Sequence, residues 1–550
     1  MLFRSDLVLD ANEAAAPPAP LAERLGVADL HRYPDASPLE ALVAGHLGVA
    51  ADRVLVGAGA DDLLQRAVAA VCSPGREAIL AVPGFAMLHR YVALAGAGVR
   101  ELTWWQGEWP VDEALALADD ATSLVAVVSP NNPTGATISR AALERLAASL
   151  PRALILLDHA YVEFADDDLT DLAFRLPNVV AVRTVSKAWG AAGLRVGWAV
   201  GDERVIRWMR AAGHPYPASS PSLAAVAGLL RDGLAAPAGR IGEIRRERAA
   251  LGSLLESLGA SPLPSQANFV LARVTDAAFA RDALAALGIA IRAFAEPLLD
   301  GWIRVTVPGE PKTYRRLARS LGAALAPGAV LLDMDGVLAD VSGSYREAIR
   351  ATAASFGAEV EPGEISAAKA AGDAANDWVV TARLLAARGI EPPMDEVVAR
   401  FEALYQGVDD RSGLRSRERP LLSPDELARI AARRPVGVVT GRPRRDAERF
   451  LAEHNLAGSV GAVVCMEDAA AKPDPAPVRL ALERLGVASA WMVGDTPDDL
   501  RAARAAGVVP LGVPAPGEEP AAARRVLSAA GAARVFDTPG DLIPLLEVLP

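Results

Sequence analysis

Val179-Val180-Ala181-Val182-Arg183-Thr184-Val185-Ser186-Lys187-Ala188-Trp189-Gly190 starts as an apolar, β-branched run and ends in a loop with two hydroxyls and a lysine. A run of that kind reads as a buried parallel strand. The pattern recurs. Leu124–Val128, Leu154–Leu157, Val330–Leu332, Val436–Val439 and Trp491–Val493 are short and apolar, and each leads into a polar motif. Stretches with helical spacing, such as Ser139–Leu150 and Pro475–Leu485, lie between them. Strand alternating with helix predicts an α/β fold. Open α/β sheets bind ligands at the carboxyl ends of their strands, which is where these motifs fall.

Lysine occurs only at Lys187, Lys312, Lys369 and Lys472, while arginine is abundant. Arginine stays protonated in proteins, so it cannot condense with an aldehyde. A retained lysine is therefore a candidate for chemistry that arginine cannot do. The chain has 550 residues and a formal net charge of −12. Its length predicts several compact units. The charge and the lack of a basic run argue against a nucleic-acid surface and an anionic-membrane patch. No apolar span is long enough for a bilayer and no leader is evident, so no membrane partner is expected. Cys72 and Cys465 suggest neither a disulfide framework nor a zinc site, which fits a cytoplasmic protein. The six histidines are scattered and predict no histidine-built metal site.

The loop at Lys187 continues to Gly193-Leu194-Arg195-Val196-Gly197. Its lysine can hold an aldehyde cofactor, and its hydroxyls and Arg195 can hold a phosphate. Over nearly all of residues 1–321 the sequence resembles the fold-type I aminotransferases, and among them the histidinol-phosphate aminotransferase family. His31-Arg32-Tyr33-Pro34-Asp35 resembles that family's R-Y-P-D segment. The resemblance implies that Tyr33 reaches the cofactor phosphate of a partner subunit, and hence a homodimer. Gly57-Ala58-Gly59-Ala60-Asp61-Asp62 is similar to its phosphate-cradling turn, with Ala60 and Asp61 at a helix start. Phe85 stands where the family stacks an aromatic ring on the cofactor, Asn131-Asn132-Pro133-Thr134-Gly135 matches its N-P-T-G loop, and Asp158-His159-Ala160-Tyr161 matches D-E-A-Y.

The implied cofactor is pyridoxal 5'-phosphate. Asp158 would keep its ring nitrogen protonated, Tyr161 and Asn132 would bind its ring oxygen, and Thr184, Ser186 and Arg195 would bind its phosphate. Asn268, Arg292 and Arg304 match substrate-binding positions, the arginines gripping a carboxylate and a phosphate. The sequence departs from the family at Phe85 (usually tyrosine), at His159 (usually glutamate) and at Pro217 (often asparagine). The favoured reading of His159 is a hydrogen-bonded residue behind the site.

Val330-Leu331-Leu332-Asp333-Met334-Asp335-Gly336 is a strand ending in D-x-D-G. Val438-Val439-Thr440-Gly441-Arg442-Pro443, then Lys472-Pro473-Asp474-Pro475, then Val493-Gly494-Asp495-Thr496-Pro497-Asp498-Asp499 follow in order. The set resembles the haloacid dehalogenase superfamily over residues 329–550. The resemblance implies that Asp333 attacks phosphorus, Asp335 acts as acid and base, and Thr440 and Lys472 hold the phosphoryl group. Asp333, the Asp335 carbonyl, Asp495 and Asp499 would hold Mg²⁺. Asp499 lies four residues after Asp495, so if a helix starts at Asp495 both carboxylates share one face and Asp499 supports the metal through water. Helix-patterned residues 341–420 are similar to a cap, where Lys369, Asn376, Asp377 and Trp378 are candidates to touch substrate.

Together these resemblances imply an aminotransferase fold over 1–325, with a large domain about 31–220 and a small domain from 1–30 and 221–325. A hydrolase over 326–550 follows, beyond an Ala/Pro/Gly linker at 322–328. The expected activities are transfer from glutamate to imidazole acetol phosphate, giving 2-oxoglutarate and histidinol phosphate, and Mg²⁺-dependent release of phosphate from that product. The alternatives are an aminotransferase for another amino acid joined to a phosphatase or mutase of unrelated substrate, or a non-catalytic regulatory second half.

Overall fold

The computed structural model describes residues 5–13, 32–370, 376–408 and 413–549, apart from the side chains at 369 and 370. His31, most of the segment 1–30 and the side chain of Lys369 lie outside these residues. Two compact units form. One is Leu9–Val274 with Ile291–Arg316, and the other is Thr275–Ala290 with Leu317–Pro550 and the first residues to Val8.

After β1 (Leu7–Leu9) come seven strands of one sheet: β2 (Val54–Gly57), β3 (Glu77–Val82), β4 (Gly98–Thr103), β5 (Thr122–Val128), β6 (Leu154–Asp158), β7 (Val179–Thr184) and β8 (Gly197–Gly201). They lie in the order β2-β8-β7-β6-β5-β3-β4, parallel except for β8, which runs against both neighbours. β5, β6 and β7 are buried along their whole length, as their apolar runs require. A side chain at Gly197 could not be accommodated, because its Cβ would lie 2.5 Å from the Arg183 carbonyl. A smaller sheet, in the order β1-β11-β12-β10-β9, is completed by β9 (Ser261–Pro262), β10 (Phe269–Arg273), β11 (Ile289–Ala293) and β12 (Trp302–Thr306). Arg292 and Arg304 face each other across the antiparallel β11-β12 pair, so both side chains leave the same face.

The second unit carries a six-stranded parallel sheet in the order β17-β16-β13-β18-β19-β20. Its strands are β13 (Val330–Leu332), β16 (Val436–Val439), β17 (Ala462–Val464), β18 (Trp491–Gly494), β19 (Val509–Gly512) and β20 (Arg534–Val535). A two-stranded ribbon, β14 (Ala339–Asp340) with β15 (Arg419–Pro420), marks where a helical insertion leaves and rejoins the chain. That insertion holds helices Tyr345–Ser355, Pro362–Ala370, Asp377–Ala386 and Met394–Gln406. Helix Ala277–Ala286 belongs with this unit. Phe279 meets the edge of Trp491 at 4.9 Å between ring centroids, and Arg534 donates to Asp276 at 2.8 Å.

The expected linker at 322–328 is mostly helix. The helix from Pro311 continues to Leu325, and Ala323, Ala324 and Leu325 are buried. Alanine and leucine are strong helix formers, and Trp491 Nε1 donates to the Ala323 carbonyl at 2.8 Å. Packing thus carries the helix through a stretch whose composition suggested a break.

Candidate active sites

The carboxyl ends of β5, β6 and β7 open into one cleft of about 800 Å³. Asp158, the last residue of β6, lies on its floor and is 4 % exposed. Asp158 Oδ1 accepts from the Ala160 backbone N–H at 3.0 Å. Burial, reinforced by Asp61, pushes its carboxyl up to about 7, against the pull of Lys187. Lys187 stands on the loop after β7. Its Nζ donates to the Ala11 carbonyl at 3.0 Å and lies 5.6 Å from the centre of the Tyr161 ring. Asn132, Tyr161, Phe85, Ala60, Asp61, Thr184, Ser186 and Arg195 line the same cleft. Thr184 Oγ1 donates to Ser186 Oγ at 2.8 Å, and Arg195 pairs with Asp61 at 3.1 Å. Gly59 has a φ of +82°, and a Cβ there would lie 2.8 Å from Arg195 Nη2. Glycine therefore lets this turn sit against the guanidinium.

The two arginines of the small sheet enter the cleft from its other side. Arg304 is held by neutral acceptors, Asn132 Oδ1 and the Asp10 carbonyl, each at 2.6 Å. Among the described residues it forms no salt bridge, and burial depresses its pKa. Such a guanidinium gains from an arriving carboxylate. Arg292 stacks near Phe294, 5.7 Å from the ring centre.

Two expected residues fall outside the cleft wall. Tyr33 is 80 % exposed and stacks on Tyr216 at 4.7 Å. Asn268 is fully buried beneath the wall and donates to the Asn12 carbonyl at 3.2 Å. Asn12 was missed by sequence reasoning. Its side chain donates to the Tyr161 hydroxyl at 3.1 Å and accepts from Thr306 at 3.0 Å. The one sequence signal was a short polar patch after an apolar start. His159 is buried behind Asp158, 3.2 Å from Thr170 Oγ1, and burial pushes it down to about 4. It is a neutral member of a polar cluster that also holds Arg183 between Glu163 and Asp168.

In the second unit, the central strand β13 puts Asp333 between the ends of β16 and β18. Asp333, Asp495 and Asp499 place carboxylate oxygens within 4.8 Å of one another. Lys472 Nζ bonds Asp333 Oδ1 at 2.8 Å and the Val439 carbonyl at 3.1 Å, and it also pairs with Asp499. Burial pushes Asp333 up to about 7, with Asp499 adding to the shift and Lys472 opposing it. Burial alone would depress the Lys472 ammonium, but Asp333 and Asp499 raise it instead. Thr440 follows β16, and its hydroxyl accepts from the Arg442 backbone N–H at 3.1 Å.

No helix starts at Asp495, so the two carboxylates do not share a helix face. The helix spans Pro497–Ala505, and Asp495 precedes it at the end of β18. Asp499 is turned inward by a capping box, accepting from Thr496 N–H at 3.0 Å and Thr496 O–H at 2.6 Å. The Asp335 carboxylate lies apart from the cluster. Arg442, 2 % exposed, holds it at 2.6 Å and pairs with Glu418 at 2.9 Å. Sequence reasoning passed over both Arg442 and Glu418. Asn376, Asp377 and Trp378 line the cavity beside Asp335, together with Tyr345 and Met466.

The family model for aminotransferase class I and II matches residues 14–321, and that for haloacid dehalogenase-like hydrolases matches 327–507. The chain belongs to the class I and II aminotransferases. A haloacid dehalogenase-like hydrolase follows in the same chain. A histidinol-phosphate aminotransferase of Roseiflexus castenholzii is 37 % identical over 323 residues, covering 55 % of this chain and 85 % of that one. A protein of Phytophthora nicotianae named imidazoleglycerol-phosphate dehydratase is 46 % identical over 241 residues, covering 40 % of this chain. The chain spans only about half, 53 %, of that relative. The structure of a histidinol-phosphate aminotransferase from Sinorhizobium meliloti in complex with pyridoxal-5'-phosphate matches with a TM-score of 0.52 and 27 % identity, covering 58 % of this chain and 90 % of that one.

The aminotransferase cleft fits pyridoxal phosphate. Asp158 is a buried carboxylate that needs a cationic partner such as a protonated ring nitrogen, and Lys187 stands within the same walls. The hydrolase site fits Mg²⁺, since three converging carboxylates are a hard oxygen donor set. Among the described residues no helix is long and apolar enough to cross a membrane.

Proposed function

We propose that this chain is a bifunctional enzyme of the cytoplasm that performs two consecutive steps of histidine biosynthesis. The first half transfers the amino group of glutamate to imidazole acetol phosphate, giving histidinol phosphate. The second half hydrolyses that ester to histidinol and inorganic phosphate. The reading rests on one observation: Lys187, Asp158, Arg304 and Arg292 share one cleft. A condensable amine, a carboxylate base for a ring nitrogen and two grips for anions are what an acidic amino donor and a phosphorylated acceptor require. The functional division of the chain is placed at 325/326.

When bound, pyridoxal phosphate supplies an aldehyde and a ring that withdraws electrons. Asp158 Oδ would keep its ring nitrogen protonated. Asn132 and Tyr161 would hold its ring oxygen, and Asn12 fixes the Tyr161 hydroxyl from behind. Phe85 would pack against the ring, while Ala60, Asp61, Thr184, Ser186 and Arg195 would hold the phosphate end. Lys187 would hold the cofactor aldehyde, and its Nζ, once free, would take up the α-proton of the amino donor. Arg304 grips the donor carboxylate, Arg292 meets the acceptor phosphate, and Asn268 supports this wall through Asn12. Exposed Tyr33 completes the phosphate site of a second copy in a homodimer.

In the hydrolase, Asp333 Oδ attacks phosphorus and the P–O bond to the alcohol breaks as Asp335 gives that oxygen its proton. Water then attacks the phosphorylated Asp333, passes a proton to Asp335, and phosphate leaves. Thr440 and Lys472 hold phosphoryl oxygens throughout. Mg²⁺ held by Asp333, the Asp335 carbonyl, Asp495 and Asp499 would offset the charge that gathers there.

The test incubates the full chain with imidazole acetol phosphate and glutamate and follows histidinol and free phosphate together. Both products should appear. Asp333→Asn should accumulate histidinol phosphate without phosphate release, and EDTA should do the same. Absence of both products from the unmodified enzyme would remove the pathway reading.

A further inference from the structure

The Asp335 carboxylate does not stand alone in its cavity. Arg442 Nε and Nη2 both approach its Oδ1 at 2.6 Å. Arg442 Nη1 donates to Glu418 Oε2 at 2.9 Å, and Glu418 Oε1 accepts from Ser344 Oγ at 2.9 Å and Tyr405 O–H at 3.0 Å. The guanidinium is flanked by the rings of Tyr345 and Phe450, at 4.8 and 5.4 Å. Ser344 is the residue just before the first helix of the insertion, Tyr405 lies on its last helix, and Glu418 immediately precedes β15, where the insertion rejoins the sheet.

We propose that Arg442 is a positioning residue for ester cleavage: it fixes the Asp335 carboxylate and ties it to both ends of the helical insertion. A guanidinium offers its donors in a rigid planar fork, so two carboxylates bound to it hold fixed directions relative to each other. Glu418 therefore sets the angle of Arg442, and Arg442 sets that of Asp335. Both contacts are to Oδ1, which leaves Oδ2 to meet the oxygen of the departing alcohol. The chain of bonds runs from the walls that cover the substrate to the atom that must deliver a proton. A shift of either end of the insertion moves Ser344 or Tyr405, and through Glu418 and Arg442 it moves the acid.

The inference rests on the hydrolytic reading of this site, and the two can fail separately. A buried ion pair can also be only structural, in which case its loss would weaken turnover of every ester alike. Proton delivery matters unequally. An alkoxide leaves badly without a proton, whereas p-nitrophenolate leaves without help. The experiment therefore measures kcat/KM of the full chain on two esters: p-nitrophenyl phosphate, and histidinol phosphate or, if that is not turned over, glycerol 2-phosphate. In Arg442→Lys, which keeps the charge but loses the fork, the alkyl-to-aryl ratio should fall by about 30- to 100-fold, within the usual worth of general acid catalysis. Glu418→Gln keeps the packing and should lower the same ratio by about 10-fold, so the test survives if the first variant folds poorly. Equal losses on both esters, or an unchanged ratio in both variants, would overturn the proposal while leaving hydrolysis intact. If the unmodified chain released phosphate from none of these esters, both readings would fall.

Discussion

Two lysines, 187 and 472, each stand on a loop that follows a strand, yet their surroundings are opposites. Lys187 lies in an open cleft, bonds one backbone carbonyl and, among the described residues, makes no salt bridge. Lys472 is 7 % exposed and is pinned between Asp333 and Asp499. The first amine has no carboxylate pinning it and is placed to form a bond. The second is a fixed positive charge beside a nucleophile. The residue type does not decide between covalent and electrostatic work; the number of carboxylates within reach does.

The sharpest way to break this comparison is to give both positions the same substitution. Lys187→Arg should abolish transamination, because the amine that condenses is gone. Phosphate release from added histidinol phosphate should persist. Lys472→Arg keeps the charge and should leave measurable phosphatase activity, reduced by about 10²–10³-fold for poor geometry. Comparable losses at both sites, in paired amino-transfer and phosphate-release assays, would mean that the two lysines do the same kind of work. Removing the charge sharpens the contrast. Lys472→Met leaves two buried carboxylates without a counter-charge and should destabilise the hydrolase by about 3–5 kcal/mol, read by denaturant unfolding. Lys187→Met should change stability far less.

A smaller effect belongs to the floor of the aminotransferase cleft. Burial raises the Asp158 carboxyl from 3.8 to about 7 in the protein without cofactor. Its folded form then holds a proton that the unfolded chain has released. Stability from this group is full below about pH 4 and is lost as pH rises through about 7, by a few kcal/mol. In Asp158→Asn this slope should shrink in the pH dependence of apoprotein unfolding, leaving the share that Asp333 contributes. An unchanged slope would move the titration to another group.

Much of this was legible in the sequence because both sheets place their chemistry directly after buried strands. Val330–Leu332 and Val436–Val439 were read with the bounds they have, since central parallel strands are apolar on both faces. Asp158, Lys187, Asp333 and Lys472 stand out through spacing or rarity. Asn12 did not, because its partners Tyr161 and Thr306 are distant in the chain and only the fold joins them. Arg442 was hidden by abundance: in an arginine-rich chain, one more arginine reads as surface charge. Its place two residues after Thr440, at a strand end, was the available clue. The helix through 322–325 was obscured because a Pro/Gly-rich composition signals a break, whereas burial against Trp491 favours continuation.

Helix Ala277–Ala286 sits in the sequence of the aminotransferase but packs with the hydrolase sheet, its Phe279 against Trp491. A single scission of the polypeptide after Leu325 would part this helix from the sheet it packs against. A break after Leu325 would strip Trp491 of an aromatic neighbour on one fragment and bare Phe279 on the other. Gene fission would have to be accompanied by new polar residues at both places, so the fusion, once made, is hard to reverse.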